Sequence, residues 1–401
     1  MKKLLLNTLI GLALLTCQTS FAQKTKAKFS PIKVETPARP ANQQDVIQLV
    51  TPKLETVRVG FIGLGMRGPG AVERWTHIPG TQIVALCDLL PERVENAQKI
   101  LEKAGLPKAA SYAGDEKAWK KLCERDDIDV VYIATDWKHH ADMGVYAMEH
   151  GKHVAIEVPA AMTLDEIWKL INTSEKTRKH CMQLENCVYD FFELTSLNMA
   201  QQGVFGEVLH VEGAYIHNLE DFWPYYWNNW RMDYNQKHRG DVYATHGMGP
   251  ACQVLNIHRG DRMKTLTAMD TKSVVGKGLV EAKTGSECTN FRNGDHTTTM
   301  IRTENGKVIE IQHNVMTPQP YNRLYQLTGV KGFANKYPTE GYALGADQLS
   351  ASGVQPKVDN LSSHGFLPQA EMDALVEKYQ HPILKKYGEI AKEVGGHGGM
   401  D

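Results

Sequence analysis

The chain has 401 residues, of which 42% are hydrophobic and 23% are charged, enough for two domains with separate hydrophobic cores. Its 45 Lys and Arg residues nearly balance its 46 Asp and Glu residues, giving a formal net charge of -1. This balance argues against a nucleic-acid-binding protein and against a disordered acidic tail, and it favours a small, neutral or weakly charged partner.

The first 22 residues are typical of a signal peptide for export. Two lysines precede the apolar run LLLNTLIGLALLT, which is too short for a stable membrane span, and SFA supplies the small residues expected before cleavage after Ala22. A lipoprotein signal ending at Cys17 is less favoured, because Thr16 is a poor residue before a lipidated cysteine. We therefore expect an exported, periplasmic protein without stable membrane insertion. Residues 23–55 are polar and contain prolines, which predicts a flexible lead-in.

Strands and helices alternate over residues 56–180. The apolar runs VRVGFIG, QIVALCD, IDVVYIATD and HVAIEVP predict four buried strands, and the segments between them have the apolar spacing of helices. Pro91 suits a first helical position, and Thr163 with Glu166 predicts a capping box. Because the strands are continuously apolar rather than alternating, the pattern indicates an α/β domain with a parallel sheet covered on both faces, a doubly wound Rossmann fold.

The remainder, residues 181–401, has the pattern of an α+β domain. VLHVEGAYIH and KTLTAMDT predict longer strands, and residues 296–315 predict a hairpin that turns at Asn305-Gly306. Antiparallel strands are expected to form one sheet, with helices elsewhere. The final segment, EVGGHGGMD, predicts a frayed tail because of its glycines.

A dinucleotide site is indicated by Gly63, Gly65 and Gly68, which form G-x-G-x-x-G between a predicted strand and a predicted helix. Asp88 ends the next strand, where a carboxylate accepts hydrogen bonds from ribose hydroxyls and repels a 2′-phosphate. The sequence therefore predicts NAD rather than NADP as the cofactor. The alternative is a glycine turn in a sheet without ligand, which the full context disfavours.

Five segments together resemble the NAD-dependent glycoside hydrolase family 109: VRVGFIGLGMRGPG, DWKHH, KHVAIEVPAA, LENCVYD and GDVYATHGMGP. The resemblance extends from Thr56 to the mid-330s. This family lies within the group of proteins similar to glucose–fructose oxidoreductase and inositol dehydrogenase. Membership implies a Rossmann domain followed by a domain with an open-faced sheet, and such a sheet often pairs with a copy of itself in a homo-oligomer.

The resemblance implies α-N-acetylgalactosaminidase activity on a carbohydrate or glycoconjugate. The implied cycle comprises oxidation at sugar C3, loss of the C2 proton with departure of the glycosidic oxygen, addition of water, and reduction at C3. One departure from the wider group supports hydrolysis. Its sugar dehydrogenases have Glu-Lys-Pro, where the lysine assists oxidation, but this chain has Glu157-Val158-Pro159.

By the same resemblance, the sugar site contains His246 and Tyr243 as the catalytic pair, serving as base or proton donor. Which of the two removes the C2 proton stays open. Arg231 follows an aromatic segment, residues 221–230, whose rings suit the apolar faces of sugars. The implied substrate contacts are Tyr215, Arg231, Tyr243, Ala244, Thr245, His246 and Tyr321.

The cofactor contacts implied by motif and resemblance lie at the carboxyl ends of the strands. Trp137 and His140 are expected beside the nicotinamide half, and Asn186 at its carboxamide or at the substrate. The full set is Gly63, Gly65, Met66, Arg67, Gly68, Asp88, Trp137, Lys138, His139, His140, Glu157, Val158 and Asn186. No metal site is predicted, because the cysteines form no C-x-x-C pair and adjacent histidines rarely face one ion.

Two other functions remain open from the sequence. A sugar dehydrogenase with net oxidation is the first alternative, disfavoured by the absence of the lysine. A non-catalytic sugar or nucleotide sensor is the second, disfavoured by the complete set of Tyr243, His246 and Arg231.

Overall fold

A computed structural model describes residues 30–227 and 230–401. The predicted signal peptide, with Cys17, lies outside these residues. Residues 30–42 contain no helix or strand, whereas Gln43–Asp401 form one compact unit. Within the described part of the chain, no helix is long and apolar enough to cross a membrane.

The first sheet is parallel throughout, with strand order β3-β2-β1-β4-β5-β6. This is the order of a dinucleotide-binding Rossmann fold, and it confirms the predicted doubly wound domain. The strands are β1 (Val57–Ile62), β2 (Thr81–Cys87), β3 (Ala110–Tyr112), β4 (Val130–Ile133), β5 (His153–Ile156) and β6 (Cys181–Gln183).

Five helices accompany this sheet: α1 (Gly68–Trp75), α2 (Pro91–Lys103), α3 (Ala118–Cys123), α4 (Trp137–Glu149) and α5 (Leu164–Thr177). Pro91 occupies the first turn of α2, as predicted. Thr163 and Glu166 form the predicted capping box at α5. These local signals therefore place both helix starts correctly.

Three short elements were not predicted: β3, α3 and β6. The two strands have three residues each, too few to show a periodic pattern. Because β6 joins the first sheet, that sheet continues to Gln183, three residues beyond the domain boundary predicted at His180.

The predicted flexible lead-in is held against the first domain over part of its length. Residues 43–55 contain no helix or strand. Arg178 Nη1 donates to the carbonyl oxygens of Gln44 and Asp45, and His180 Nε2 lies 3.0 Å from that of Leu49. Hydrogen bonds rather than secondary structure fix this stretch.

The second sheet has seven strands in the order β13-β12-β11-β7-β10-β9-β8, and only β7 and β10 run parallel. It confirms the predicted mostly antiparallel sheet. The strands are β7 (Val208–Ile216), β8 (Met263–Asp270), β9 (Thr297–Thr303), β10 (Val308–Asn314), β11 (Tyr325–Gly329), β12 (Gly332–Asn335) and β13 (Gly341–Leu344).

The second domain also contains helices that carry or support the site described below. They are α6 (Phe191–Gln201), α7 (Trp223–Tyr226), α8 (Trp230–Lys237), α9 (Thr245–Val254), α10 (Val275–Thr284), α11 (Ala346–Ala351), α12 (Gln369–Tyr379) and α13 (Pro382–Val394), with short 3-10 helices at Asn186–Tyr189, Glu220–Phe222 and His397–Gly399.

Register explains why one face of this sheet is covered and the other is open. Paired positions on four neighbouring strands form a buried row: Ile301, Ile309, Val211 and Leu327. This row packs in the core formed with α6, α9 and α12. The adjacent positions form a polar row on the opposite face, where Glu212 accepts hydrogen bonds from Gln312 and Gln326. The sheet is therefore open-faced, as expected.

The hairpin between β9 and β10 turns at Asn305-Gly306, as predicted. Gly306 has the positive φ of 83° that the turn requires. The prediction of a frayed tail is wrong. His397–Gly399 form a 3-10 helix, and the Asp401 side chain is 3% exposed. Three of the tail glycines, Gly395, Gly396 and Gly399, are closely packed, because an added Cβ at each would lie within 3 Å of another atom.

Candidate active site

A cleft of about 1080 Å³ opens at the carboxyl ends of β1 and β4, where the strand order of the first sheet reverses. Ligands of open α/β sheets bind at this position. Residues of both domains line the cleft. The first domain lines what we call the cofactor half, and β7, α8 and α9 line the substrate half.

The glycine loop between β1 and α1 leaves no room for side chains at two positions. Gly63 has a φ of 93°, and a Cβ there would lie 2.6 Å from the carbonyl of Ala134. A Cβ on Gly68 would overlap the carbonyl oxygen of Gly63. The first turn of α1 can therefore approach β1 closely, with its backbone N–H groups available to an anion, which fits a dinucleotide pyrophosphate. Gly65 lines the cleft, whereas Gly68 supports the loop from behind.

Asp88 lines the cleft, but its oxygens also hold the protein itself. Oδ2 accepts from the backbone of Leu64 at 2.7 Å, and Oδ1 accepts from that of Leu90 at 3.0 Å. Arg93 Nη1 lies 3.5 Å from Oδ1. Asp88 therefore braces the glycine loop as well as facing the predicted ribose position. Arg93, which the sequence analysis missed, sets a positive charge beside it, so the preference for NAD over NADP stays a prediction.

Arg67 and Glu157 face each other across the cofactor half. The Arg67 Nε to Glu157 Oε1 distance is 3.6 Å, and the same Oε1 accepts from the Tyr132 hydroxyl at 2.7 Å. Val158 follows Glu157 in the lining, and Met66 is 67% exposed at the rim. The predicted cofactor residues of these two segments thus converge.

The residues of the DWKHH motif differ in burial and in their contacts with the cleft. Trp137 is buried, with ring contacts to Trp230 at 4.3 Å and Tyr243 at 5.6 Å between centroids. His140 lies with its two ring nitrogens 2.8 Å and 3.1 Å from backbone carbonyls, and its burial lowers its pKa. His139 is exposed at the rim beside Asp136. Lys138 is exposed and absent from the lining, so no described contact supports its predicted role.

Asn186 is held by protein groups at both ends of its amide. Nδ2 donates to Asp401 Oδ1 at 2.6 Å, and Oδ1 accepts from Arg323 Nη1 at 3.4 Å. It lines the cleft as predicted. In this arrangement its amide links the two halves of the site.

In the substrate half, the motif YATHGMGP begins helix α9. Ala244 precedes the helix, Thr245 opens it, and His246 lies in its first turn. Of these three residues only His246 lines the cleft. A Cβ on Gly249 would lie 2.7 Å from Glu185 Cγ, so this glycine allows the carboxylate to pack against the helix. The motif therefore brings His246 and Glu185 together.

His246 and Glu185 form a buried hydrogen-bonded pair, with 2.6 Å between His246 Nδ1 and Glu185 Oε1. Burial lowers the pKa of His246, against the opposing effect of Glu185. Burial alone would raise the pKa of Glu185, but the hydrogen bond and charge of His246, together with hydrogen bonds from Cys187 and Thr245, lower it overall. A neutral imidazole with its Nδ1–H on a carboxylate results. Nε2 has no hydrogen-bond partner among the described residues and is available as a base.

Three aromatic rings surround Arg231. Its guanidinium carbon lies 5.0 Å from the ring centroid of Tyr226, 5.2 Å from that of Tyr243 and 5.7 Å from that of Trp137. Burial raises the pKa of Tyr243 well above its ordinary value, although Arg231 opposes the rise. The Tyr243 hydroxyl therefore stays protonated at neutral pH.

Tyr215 and Tyr321 differ in position. Tyr215 is buried in the cleft wall, 4.9 Å from His246 between ring centroids. Tyr321 is 41% exposed and lies outside the lining, with its ring against His217 and Arg323. It therefore sits behind these two residues at the edge of the predicted sugar site.

Besides Arg93, the sequence analysis missed Glu185, His217 and Arg323, which line or support the cleft. Alternation along a strand places His217 beside Tyr215, and their side chains meet at 3.1 Å. Arg323 is two residues beyond Tyr321, and it is buried and makes no ion pair with any described residue. Each of these residues, His217 and Arg323, lies two positions after a predicted substrate contact, and this spacing could have indicated them.

We expect His217 to make the stability of the protein sensitive to mild acid. Burial lowers its pKa to about 4, with Arg323 and Arg231 acting in the same direction. The unfolded chain takes up the proton near pH 6.5, so the melting temperature should fall as the pH drops from about 6.5 to 4. His217→Asn, which keeps an acceptor for the Tyr215 hydroxyl, should show a shallower fall in a thermal-shift series. The exposed control His77→Asn should match the parent, and an unchanged slope in His217→Asn would refute the assignment.

The described residues contain one group of metal-ligating type, Glu185, Cys187 and His246, whose ligand atoms lie within 4.8 Å of one another. Arg323 Nη1 lies 3.1 Å from Cys187 Sγ, and His246 is already bonded to Glu185. A guanidinium in contact with a ligand atom opposes a second cation, so this group is better described as part of the hydrogen-bonded site.

Comparison with known proteins assigns both domains. A family model described as glycosyl hydrolase 109, C-terminal domain, matches residues 189–401, and one described as oxidoreductase family, NAD-binding Rossmann fold, matches residues 57–184. The chain is 84% identical over 401 residues to glycosyl hydrolase family 109 protein 1 of Bacteroides thetaiotaomicron, covering 100% of this chain and 86% of that protein.

Solved structures show the same architecture at low identity. The myo-inositol 2-dehydrogenase of Lactobacillus plantarum aligns with a TM-score of 0.56 and 15% identity, over 81% of this chain and 87% of that chain. The myo-inositol dehydrogenase of Lactobacillus casei, in complex with NAD(H) and myo-inositol, gives 0.54 and 19%, over 84% and 87%. These likenesses establish the fold. The family is shown by the matches over both domains and by the 84% identity: the chain belongs to glycosyl hydrolase family 109 and has an NAD-binding Rossmann domain.

Proposed function

We propose that the protein is a glycosidase that hydrolyses terminal α-linked N-acetylgalactosamine, or a related hexosamine, without net oxidation. The observation that carries this proposal is His246, which lines the same cleft as the glycine loop and is hydrogen-bonded to the buried Glu185. The lysines that line the cleft are Lys117 and Lys120, both in the cofactor half, and Val158 stands where the related dehydrogenases have theirs. Among its described residues, the substrate half thus offers His246 as a base but no lysine that could assist oxidation of a sugar hydroxyl.

The glycine loop and Arg67 would hold the pyrophosphate of NAD, and Trp137, Glu157 and Val158 would surround its nicotinamide half. Bound NAD supplies a hydride acceptor for C3 of the sugar and returns the hydride at the end of the cycle. In the interval, the ketone at C3 of the sugar makes the C2 hydrogen acidic. The protein residues then have only protons and positions to control.

Proton transfer falls to His246 and Tyr243. In the proposal, His246 Nε2 takes the C2 proton, and Glu185 stabilises the imidazolium that forms. The Tyr243 hydroxyl donates to the glycosidic oxygen as it leaves C1. A water molecule then adds at C1 and gives its proton to the Tyr243 phenolate, while His246 returns its proton to C2, which restores the sugar skeleton. His246 and Tyr243 regain their starting protonation states.

The walls of the substrate half suit a sugar with an amide substituent. The rings of Tyr226, Trp230 and Tyr243 offer surfaces for the apolar faces of a pyranose. Arg231 lies among them and can donate to an acetamido carbonyl or a hydroxyl. The myo-inositol in the Lactobacillus casei complex is also a ring polyol, which supports a ligand of this class.

The decisive experiment is a panel of nitrophenyl glycosides, assayed with the purified protein as isolated. Release of nitrophenol without added NAD, and without accumulation of NADH, is the expected result. NADH formed in step with product would overturn the proposal in favour of a dehydrogenase, and binding of sugars without turnover would favour a sensor. Hydrolysis in deuterated water should also exchange the C2 hydrogen, whereas its retention would rule out elimination.

Glu185→Gln should lower kcat by about 10- to 100-fold, with little change in KM. A hydrogen bond to a charged group contributes about 1.5–3 kcal/mol, and a glutamine can present its N–H₂ to Nδ1 and so move the imidazole proton to Nε2. Measurement of kcat and KM across pH 5 to 9 checks this. The exposed control Glu389→Gln should behave as the parent. Parental kcat in Glu185→Gln would remove Glu185 from the mechanism.

Export belongs to the same proposal and rests on residues 1–22 alone. We expect the mature protein to begin at Gln23, which N-terminal sequencing of the exported protein would check.

A further inference from the structure

Residues 395–401, here called the tail segment, return from the second domain to the glycine loop. They follow α13, and His397 lines the main cleft. Met400 and Asp401 line an adjoining cavity of about 330 Å³, together with Arg67 and Arg74. The tail segment therefore forms part of the wall between the two cavities.

The Asp401 carboxylate is the centre of this contact, with only 3% of its side chain exposed. Oδ1 accepts from Asn186 Nδ2 at 2.6 Å. Oδ2 lies 2.8 Å from His397 Nδ1, 3.2 Å from Arg67 Nη2 and 3.9 Å from Arg74 Nη2. The carboxylate therefore joins the tail segment to both arginines of the first domain and to Asn186 at the start of the second.

Arg67 lies within the glycine motif itself, between Gly65 and Gly68. Glu157 is on one side of its guanidinium at 3.6 Å, and Asp401 is on the other at 3.2 Å. Two carboxylates thus fix the orientation of a cation at the point where the loop would meet the pyrophosphate. The tail segment thus contacts a residue of the glycine motif from outside the Rossmann domain.

We propose that Asp401 is a positioning residue of the cofactor site, which holds Arg67 and the glycine loop in place and so slows the release of NAD. This inference goes beyond the proposed hydrolysis and requires only that the Rossmann domain binds NAD. Retention of the cofactor matters for a reaction that returns its hydride in every turnover. A dehydrogenase, in contrast, must exchange its cofactor.

The test is the rate of NAD loss from the purified holoenzyme in the absence of any glycoside. Asp401→Asn removes the charge and sets an N–H₂ group against donors, so the half-time of NAD release should shorten by about 10- to 100-fold. Desalted protein would be sampled over time, with NAD in the filtrate measured by an enzymatic cycling assay. The control Asp373→Asn, on the exposed face of α12, should keep the parental half-time.

A second variant separates retention from folding. A Cβ on Gly396 would overlap Asp401 Oδ2, so Gly396→Ala displaces the carboxylate without changing any charge. It should also release NAD faster, and with saturating NAD in the buffer both variants should recover the melting temperature of the holoenzyme. Parental release rates in both variants would overturn the inference. Because no glycoside is present, this result is independent of whether the protein hydrolyses the nitrophenyl panel.

Discussion

His246→Asn should lower kcat for release of the hexosamine by about 10²- to 10⁴-fold, the range that general acid–base catalysis supplies. Asparagine keeps a polar group near Glu185 but cannot accept a proton at neutral pH. Because bound NAD reaches the sugar at C3, away from the proton lost at C2, one turnover in the variant should still produce NADH. We would measure steady-state nitrophenol release and the single-turnover absorbance of NADH on the same preparation.

The matched control for this experiment is His364→Asn, which changes an exposed histidine outside the cleft. It should retain the parental kcat and KM. Parental kcat in His246→Asn would refute the assignment of the base. Loss of both nitrophenol release and NADH formation, with an unchanged melting temperature, would instead place His246 in the oxidation step.

Gly68→Ala should abolish NAD retention, which is the second large effect. The added Cβ would overlap the Gly63 carbonyl oxygen, so either α1 or the loop must move away. Overpacking of this kind costs about 1–3 kcal/mol. Because the loop must be closely packed to bind NAD, we expect this cost to destabilise the NAD-bound form and to lower the affinity for NAD about 100-fold. Titration of stripped protein with NAD, followed by tryptophan fluorescence, would give the dissociation constant.

Gly278→Ala provides the control for the glycine experiment. Gly278 lies inside α10, and a Cβ there meets no atom within 4 Å, so its replacement should leave NAD binding unchanged. The melting temperatures of the two variants would show whether the effect of Gly68→Ala is confined to the loop. An unchanged dissociation constant in Gly68→Ala would contradict the close packing of Gly68 against Gly63.

Local signals explain how much of the fold could be predicted. The Rossmann strands are buried on both faces, so each is a continuous apolar run, and Pro91 and the Thr163 capping box mark helix starts within a few residues. The strands β3 and β6 have too few residues for any period to appear. The open-faced sheet was anticipated through family resemblance, since strand order depends on contacts distant in sequence.

The candidate site was predicted where its residues lie in compact motifs, such as the glycine loop and the turn into α9. It was missed where a side chain depends on a distant partner. Glu185 and His246 are 61 residues apart, and Asn186 and Asp401 are 215 residues apart. The glycines of the tail segment were interpreted as a sign of a flexible chain end, because sequence alone does not distinguish a mobile glycine from one packed against a carboxylate.

A continuous series of polar contacts connects the two halves of the cleft: Arg323 to Asn186, Asn186 to Asp401, and Asp401 to Arg67. Its consequence is a thermodynamic linkage between two ligands that need not touch. A sugar that draws Arg323 away from the Asn186 amide would weaken the hold on Asp401 and hence on the dinucleotide. Since coupling between binding sites is reciprocal, loss of the dinucleotide would change the affinity for that sugar by the same factor.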